Sequence, residues 1–151
     1  MKLTLSVVIA INSLFVAGAC VNTAQDDAVE IVDFGIYNSN RTAPELIEMT
    51  DEIPAIVGTV FGIRVEAAGD QAGDYEFRWT FPEMQNPANG QVWTEMTGTR
   101  ELKSDEPQSF LVRINNDWEA KAGNWTIQLE RAGRVAAEKS FDVREPESKT
   151  E

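Results

Sequence analysis

The sequence predicts an all-β domain, an antiparallel β-sandwich of about seven or eight strands with no disulfide. Three observations predict it. Short runs of alternating apolar and polar residues recur along the chain, separated by Gly, Pro, Asn and Asp, with no long helical period among them. The most aromatic run carries Tyr75, Phe77, Trp79 and Phe81 on one parity and Glu76, Arg78 and Thr80 on the other. The run from Gly123 alternates Trp125, Ile127 and Leu129 against Thr126, Gln128 and Glu130, turns through Arg131-Ala132-Gly133-Arg134, and returns with Val135, Ala137, Phe141 and Val143 as its apolar side. That is a hairpin, and Gly123-x-Trp125-x-Ile127 has the spacing of the penultimate strand of an immunoglobulin-type sandwich. An aromatic there sits at the corner, two residues before a core position. The fold class is therefore immunoglobulin-like.

The elements follow in order. Residues 1–19 read as an export signal: Lys2 is a minimal positive region, 3–16 is mostly apolar, and Ala17-Gly18-Ala19 is an A-x-A cleavage site. The run is too short for a transmembrane anchor, and Asn12 and Ser13 interrupt it. Cys20, the only cysteine, stands directly after the site, where a bacterial lipoprotein carries its lipidated residue. Ala17 stands where Leu is usual, so ordinary cleavage beside a chance cysteine is the competing reading. Residues 20–28 form a tether, 29–143 the sandwich, and 144–151 a charged, disordered tail.

Within the sandwich, Val29–Tyr37 is a strand whose apolar parity, Val32, Phe34 and Ile36, faces in. Residues 46–50 are a short edge strand or one helical turn, and Ile53-Pro54 opens a new element. Residues 59–68 point Phe61, Ile63, Val65 and Ala67 inward, and a turn at 69–74 leads to the aromatic strand. Pro82, Pro87 and Asn89-Gly90 make 82–91 a loop without a ladder. Residues 92–97 and 99–103 are two short extended pieces, and 109–114 directs Phe110, Val112 and Ile114 inward.

The absence of histidine excludes His-based triads and most zinc and copper sites. No phosphate-binding glycine loop is present, because 69–73 has no lysine. Asp70, Asp74 and Glu76 are the one acidic cluster. They admit a calcium site or a carboxylate pair for a hydrolase, but the ligand spacing of a calcium loop is missing, so a solvated turn is expected. No cofactor, metal or catalytic residue is expected. A formal net charge of −12 argues against nucleic acid, and against membranes except through a lipid on Cys20. Trp79 and Trp125 belong to the core. Trp93 and Trp118 follow loops and are the candidate ligand contacts of a carbohydrate-binding module, with capping of the sandwich ends as the plainer reading.

Several short pieces, in this order, carry a resemblance: Ile31-Val32-Asp33-Phe34-Gly35-Ile36-Tyr37, Ile53-Pro54-Ala55 leading to Gly58-Thr59-Val60-Phe61-Gly62, Phe81-Pro82, Gly123-Asn124-Trp125-Thr126, and Ala137-Glu138-Lys139-Ser140-Phe141-Asp142-Val143. Through them the chain resembles a bacterial family of exported β-sandwich domains designated a domain of unknown function. The resemblance implies a β-sandwich module and brings no catalytic residue with it. Together these readings describe a non-enzymatic binding or structural accessory module of the bacterial cell envelope, lipid-anchored or periplasmic, with a protein as its partner.

Overall fold

A computed structural model describes residues 29–148. The signal, Cys20, the tether and the last residues of the tail lie outside the described residues. Nine strands follow in order: β1 (Val29–Tyr37), β2 (Leu46–Glu48), β3 (Glu52–Pro54), β4 (Val60–Ala67), β5 (Gly73–Gln85), β6 (Val92–Leu102), β7 (Gln108–Arg113), β8 (Gly123–Arg131) and β9 (Arg134–Arg144). They form two facing sheets, β2-β1-β4-β7 and β3-β9-β8-β5-β6. All pairs are antiparallel except β3 with β9. The ambiguous segment at 46–50 is thus an edge strand.

The hairpin β8–β9 forms as its residues dictate. Ala132 and Gly133 both have positive φ, 51° and 74°. A two-residue turn of that hand matches the twist of the flanking strands. Trp125, Ile127 and Leu129 are buried, as their parity requires. On β9 a bulge between Leu129 and Glu130 of the ladder sets Leu129 opposite Ala137 and Glu130 opposite Val135. Ala136 and Ala137 are both buried, and Val135 is turned out to solvent, against expectation. A second bulge inserts Val32 between the pairs Ile31–Val65 and Asp33–Arg64. A one-residue slip reverses the faces. Phe34 and Ile36 pack on the core as expected, but Val32 is 43% exposed, and Ile31 packs on the core in its place.

Two other expectations are corrected. The segment from Pro82 is not all loop, because β5 continues to Gln85, with Met84 opposite Trp93 and Gln85 opposite Val92. Residues 81–83 have no register partner on either neighbour, so Pro82 removes no ladder bond there. The loop shrinks to a tight turn closed by the Asn86 amide donating to the Gln91 carbonyl at 2.8 Å. The two short pieces at 92–103 are one strand, β6. Gly98 does not break it. A Cβ there would lie 2.6 Å from the Phe77 ring, so glycine is what lets that ring cross the strand.

The core lies between the sheets and centres on Phe61 of β4. Its ring meets Trp79 of β5 at 5.8 Å, Trp125 of β8 at 5.4 Å and Phe141 of β9 at 5.4 Å, all edge-on. Edge-to-face pairs add about 0.5–1.5 kcal/mol each beyond the area they bury. Trp125 also donates its indole N–H to the Lys121 carbonyl, 3.0 Å away and four residues upstream. That bond ties the corner where the chain enters β8.

Candidate functional site

The described surface offers three places where polar or aromatic groups gather. The first is a buried triad on the β1–β4 pair. Asp33, 8% exposed, accepts from the Tyr37 hydroxyl and, through its other oxygen, from Arg64 Nε at 3.0 Å and from Nη2. Burial and the hydrogen bond to Asp33 push the Tyr37 phenol far above the ordinary tyrosine range. The hydrogen bond to Asp33 likewise holds the Arg64 guanidinium more firmly charged. A phenol and a guanidinium that keep their protons supply no base or nucleophile at neutral pH. The triad is a clip between strands.

It has a consequence for pH. Below the ordinary tyrosine value of about 10 the phenol is protonated in both folded and unfolded chains, so its contribution is fully present. Above about pH 10 the unfolded chain ionises while the folded phenol keeps its proton, and stability falls. Urea midpoints measured from pH 8 to pH 11.5 should therefore decline for the wild type and decline less steeply for Tyr37→Phe. Equal slopes would remove Tyr37 from this role.

The second place is the end of the sandwich carrying Trp93 and Trp118. The structure brings them together, with ring centroids 6.3 Å apart and planes at 88°. Trp93 is 40% exposed, while Trp118 packs partly on the core. Rings this nearly perpendicular share no plane, so they do not form the flat platform on which a sugar face stacks. The acidic cluster is not gathered at all. Asp70 lies in a short 3-10 turn (Gly69–Gln71), and Asp74 and Glu76 stand exposed on β5. Among the described residues no group of three or more acidic, His or Cys side chains is placed to hold a metal ion.

The third place is the flank formed by β6 and β7, the edge strands of the two sheets on that side. Every residue of β6 except Gly98 and Leu102 is exposed, and β6 pairs with β5 on one side only. Its exposed apolar side chains include Val92, Trp93 and Met96. Between β6 and β7 runs a groove of about 400 Å³, lined also by residues of the loop 38–44. Arg100 crosses it, donating to the Ser109 carbonyl and lying 5.0 Å over the Phe110 ring. On the opposite flank Lys139 of β9 lies 3.8 Å over Phe34 and pairs with Asp51 at 3.7 Å. The sequence did not mark this groove, because its residues come from five separate segments of the chain.

Two sheets wrapped around an aromatic core, with the β8–β9 hairpin and the indole-tied corner, define an immunoglobulin-like β-sandwich. The chain belongs to the family named domain of unknown function DUF3859, whose model matches residues 22–143. Among solved structures it is similar to an immunoglobulin-like protein from Pseudomonas aeruginosa, with 25% identity and a TM-score of 0.63, over 77% of this chain and 96% of that one. No curated protein matches the chain.

Proposed function

We propose that this protein is a non-enzymatic binding module that takes a protein partner along the free edge of β6. The observation carrying this reading is that β6, eleven residues long, has a strand partner only in β5, with the Glu101 carbonyl near its end taken by the Gln108 amide at 2.9 Å. An unpaired edge is a row of free N–H and C=O groups, which a partner's extended segment satisfies by adding a strand. Val92, Trp93 and Met96 supply apolar contact along it. Coplanar exposed rings would favour a sugar-binding module, and Trp93 and Trp118 stand at 88° to each other. A carboxylate hydrolase needs two carboxyls facing across a cleft, and Asp70, Asp74 and Glu76 face solvent.

The test is a photo-crosslinking residue at Thr97, with a second placed at Glu52 on the β3 edge as control. Cells should yield one discrete crosslinked protein from Thr97, none from Glu52, and none from Thr97 once Trp93→Glu and Met96→Lys are added. Equal products from both edges, or a product indifferent to the two substitutions, would remove β6 as the docking edge.

The same reading places the module in the bacterial envelope, exported by residues 1–19 and held by lipid on Cys20. Support comes from the signal composition and the cysteine's position after Ala17-Gly18-Ala19. Acyl chains contribute about 0.8 kcal/mol per buried methylene, so a multiply acylated Cys20 is a lasting anchor. Wild type is expected in the membrane fraction with an acylated N-terminal cysteine by mass spectrometry, and Cys20→Ser in the soluble fraction. An unmodified, soluble wild type would leave ordinary secretion standing.

A further inference from the structure

We propose that the groove between β6 and β7 binds a small amphiphilic carboxylate, a single carboxylate on an apolar body. The groove shares Met96 with the β6 edge but otherwise uses lining side chains rather than the strand's outer backbone.

The walls set the chemistry. Phe77, Trp79, Met96 and Phe110 give the groove an apolar lining. Its charged lining residues are Arg41, Arg100 and Arg113, without one carboxylate. The chain carries 25 acidic residues against 13 basic ones, so a cluster of charges assembled without constraint would be mostly acidic. Of the five arginines elsewhere among the described residues, Arg64, Arg78 and Arg144 are ion-paired to a carboxylate, whereas Arg131 and Arg134 are not, Arg131 donating instead to the Gln71 carbonyl at 3.1 Å. Among the described residues Arg41, Arg100 and Arg113 form no such pair. A guanidinium has five N–H donors in a planar fork that fits a carboxylate with two parallel bonds. Arg100 is already oriented by the Ser109 carbonyl and the Phe110 ring. Less of its freedom is lost on binding.

The body of the ligand follows from the volume and the wall. About 400 Å³ lies within the range of small-molecule sites. Met96, 39% exposed at the mouth, is a flexible wall that adapts to a chain or a ring. A polyanion is a poor fit, because the acidic chain repels multiple negative charges while three local arginines attract one.

The test is a titration followed by amide NMR, using the folded domain with decanoate below its micelle concentration, and with decylammonium, acetate and an acidic peptide of alternating Asp and Val as comparisons. Decanoate should shift the amides of Phe77, Met96, Phe110 and Arg113 saturably, with acetate and decylammonium leaving them in place. Arg113→Gln, at an exposed residue, should weaken decanoate roughly tenfold, and Arg100→Gln with Arg113→Gln up to roughly a hundredfold. Melting temperatures check that the folds are intact, and Arg113→Gln alone suffices if the double variant unfolds. No saturable shift, equal shifts from decylammonium, or shifts centred on Trp93 and Trp118 would overturn the proposal. So would saturation by the peptide where decanoate has no effect, which would assign the groove to a polypeptide partner and leave the crosslinking result at Thr97 to stand or fall by itself.

Discussion

Trp125→Ala should cost about 3 to 5 kcal/mol, a large part of the roughly 5 to 15 kcal/mol that keeps an ordinary domain folded. The indole is buried against Phe61 at 5.4 Å and Phe81 at 5.0 Å. Its N–H bond to Lys121 is lost as well, leaving that carbonyl to find water. Trp125→Phe keeps most of the apolar contact and loses only the bond and one ring, so it should cost less than half as much. Urea unfolding followed by circular dichroism measures both. An alanine variant melting within a few degrees of wild type would show that the corner does not anchor the sandwich.

Asp33→Ala is expected to cost about 3 kcal/mol. Removing one partner of a buried ion pair strands the other, for roughly 3 to 5 kcal/mol when both are fully buried. The lower figure applies because the Arg64 side chain keeps 31% exposure and can turn toward water. The Tyr37 hydroxyl loses its acceptor in the same step. Asp33→Leu combined with Arg64→Met should recover most of the loss, since an apolar pair of similar volume leaves no charge uncompensated. A single variant as stable as wild type would reduce the triad to surface decoration. A double variant as unstable as the single one would show that the clip carries specificity rather than charge balance.

These two residues also mark how far the sequence could be read. Trp125 was legible because strand parity is local: alternation through Ile127 and Leu129 needs no knowledge of the opposite sheet. The same logic found Phe61, Ile63, Val65 and the hairpin turn. It failed where a ladder slips. The bulges beside Val32 and between Leu129 and Glu130 reverse the faces of short stretches, and nothing in their side chains announces an extra residue. Asp33 and Tyr37 share a parity and Arg64 lies on the polar side of its strand, but their meeting depends on which strand pairs with which. The flank groove was less legible still. Arg41, Arg100 and Arg113 lie far apart in sequence, and only the sheet order gathers them. Trp93 and Trp118 were found as candidates from their loops, while the angle between their rings was beyond any pattern in the chain.

The hairpin of β8 and β9 has a consequence for the order in which the molecule assembles. Translation delivers the strands from β1 onward, and β1, β4 and β7 of one sheet are complete before Gly123 is made. The other sheet then lacks its middle, because β8 lies between β5 and β9, and β3 pairs only with β9. Two of the three rings around Phe61, those of Trp125 and Phe141, are still missing as well. A nascent chain therefore has no closed core to bury until this segment is available, and it stays open for most of its synthesis. Once the segment exists, its two-residue turn lets the two strands zip within about 1–10 μs, and the waiting sheet has a template to close on. A chain stopped at Ala122 should show no cooperative melting, whereas one stopped at Pro146 should melt like the full protein; a cooperative transition in the shorter chain would mean that the first sheet stands without its lid.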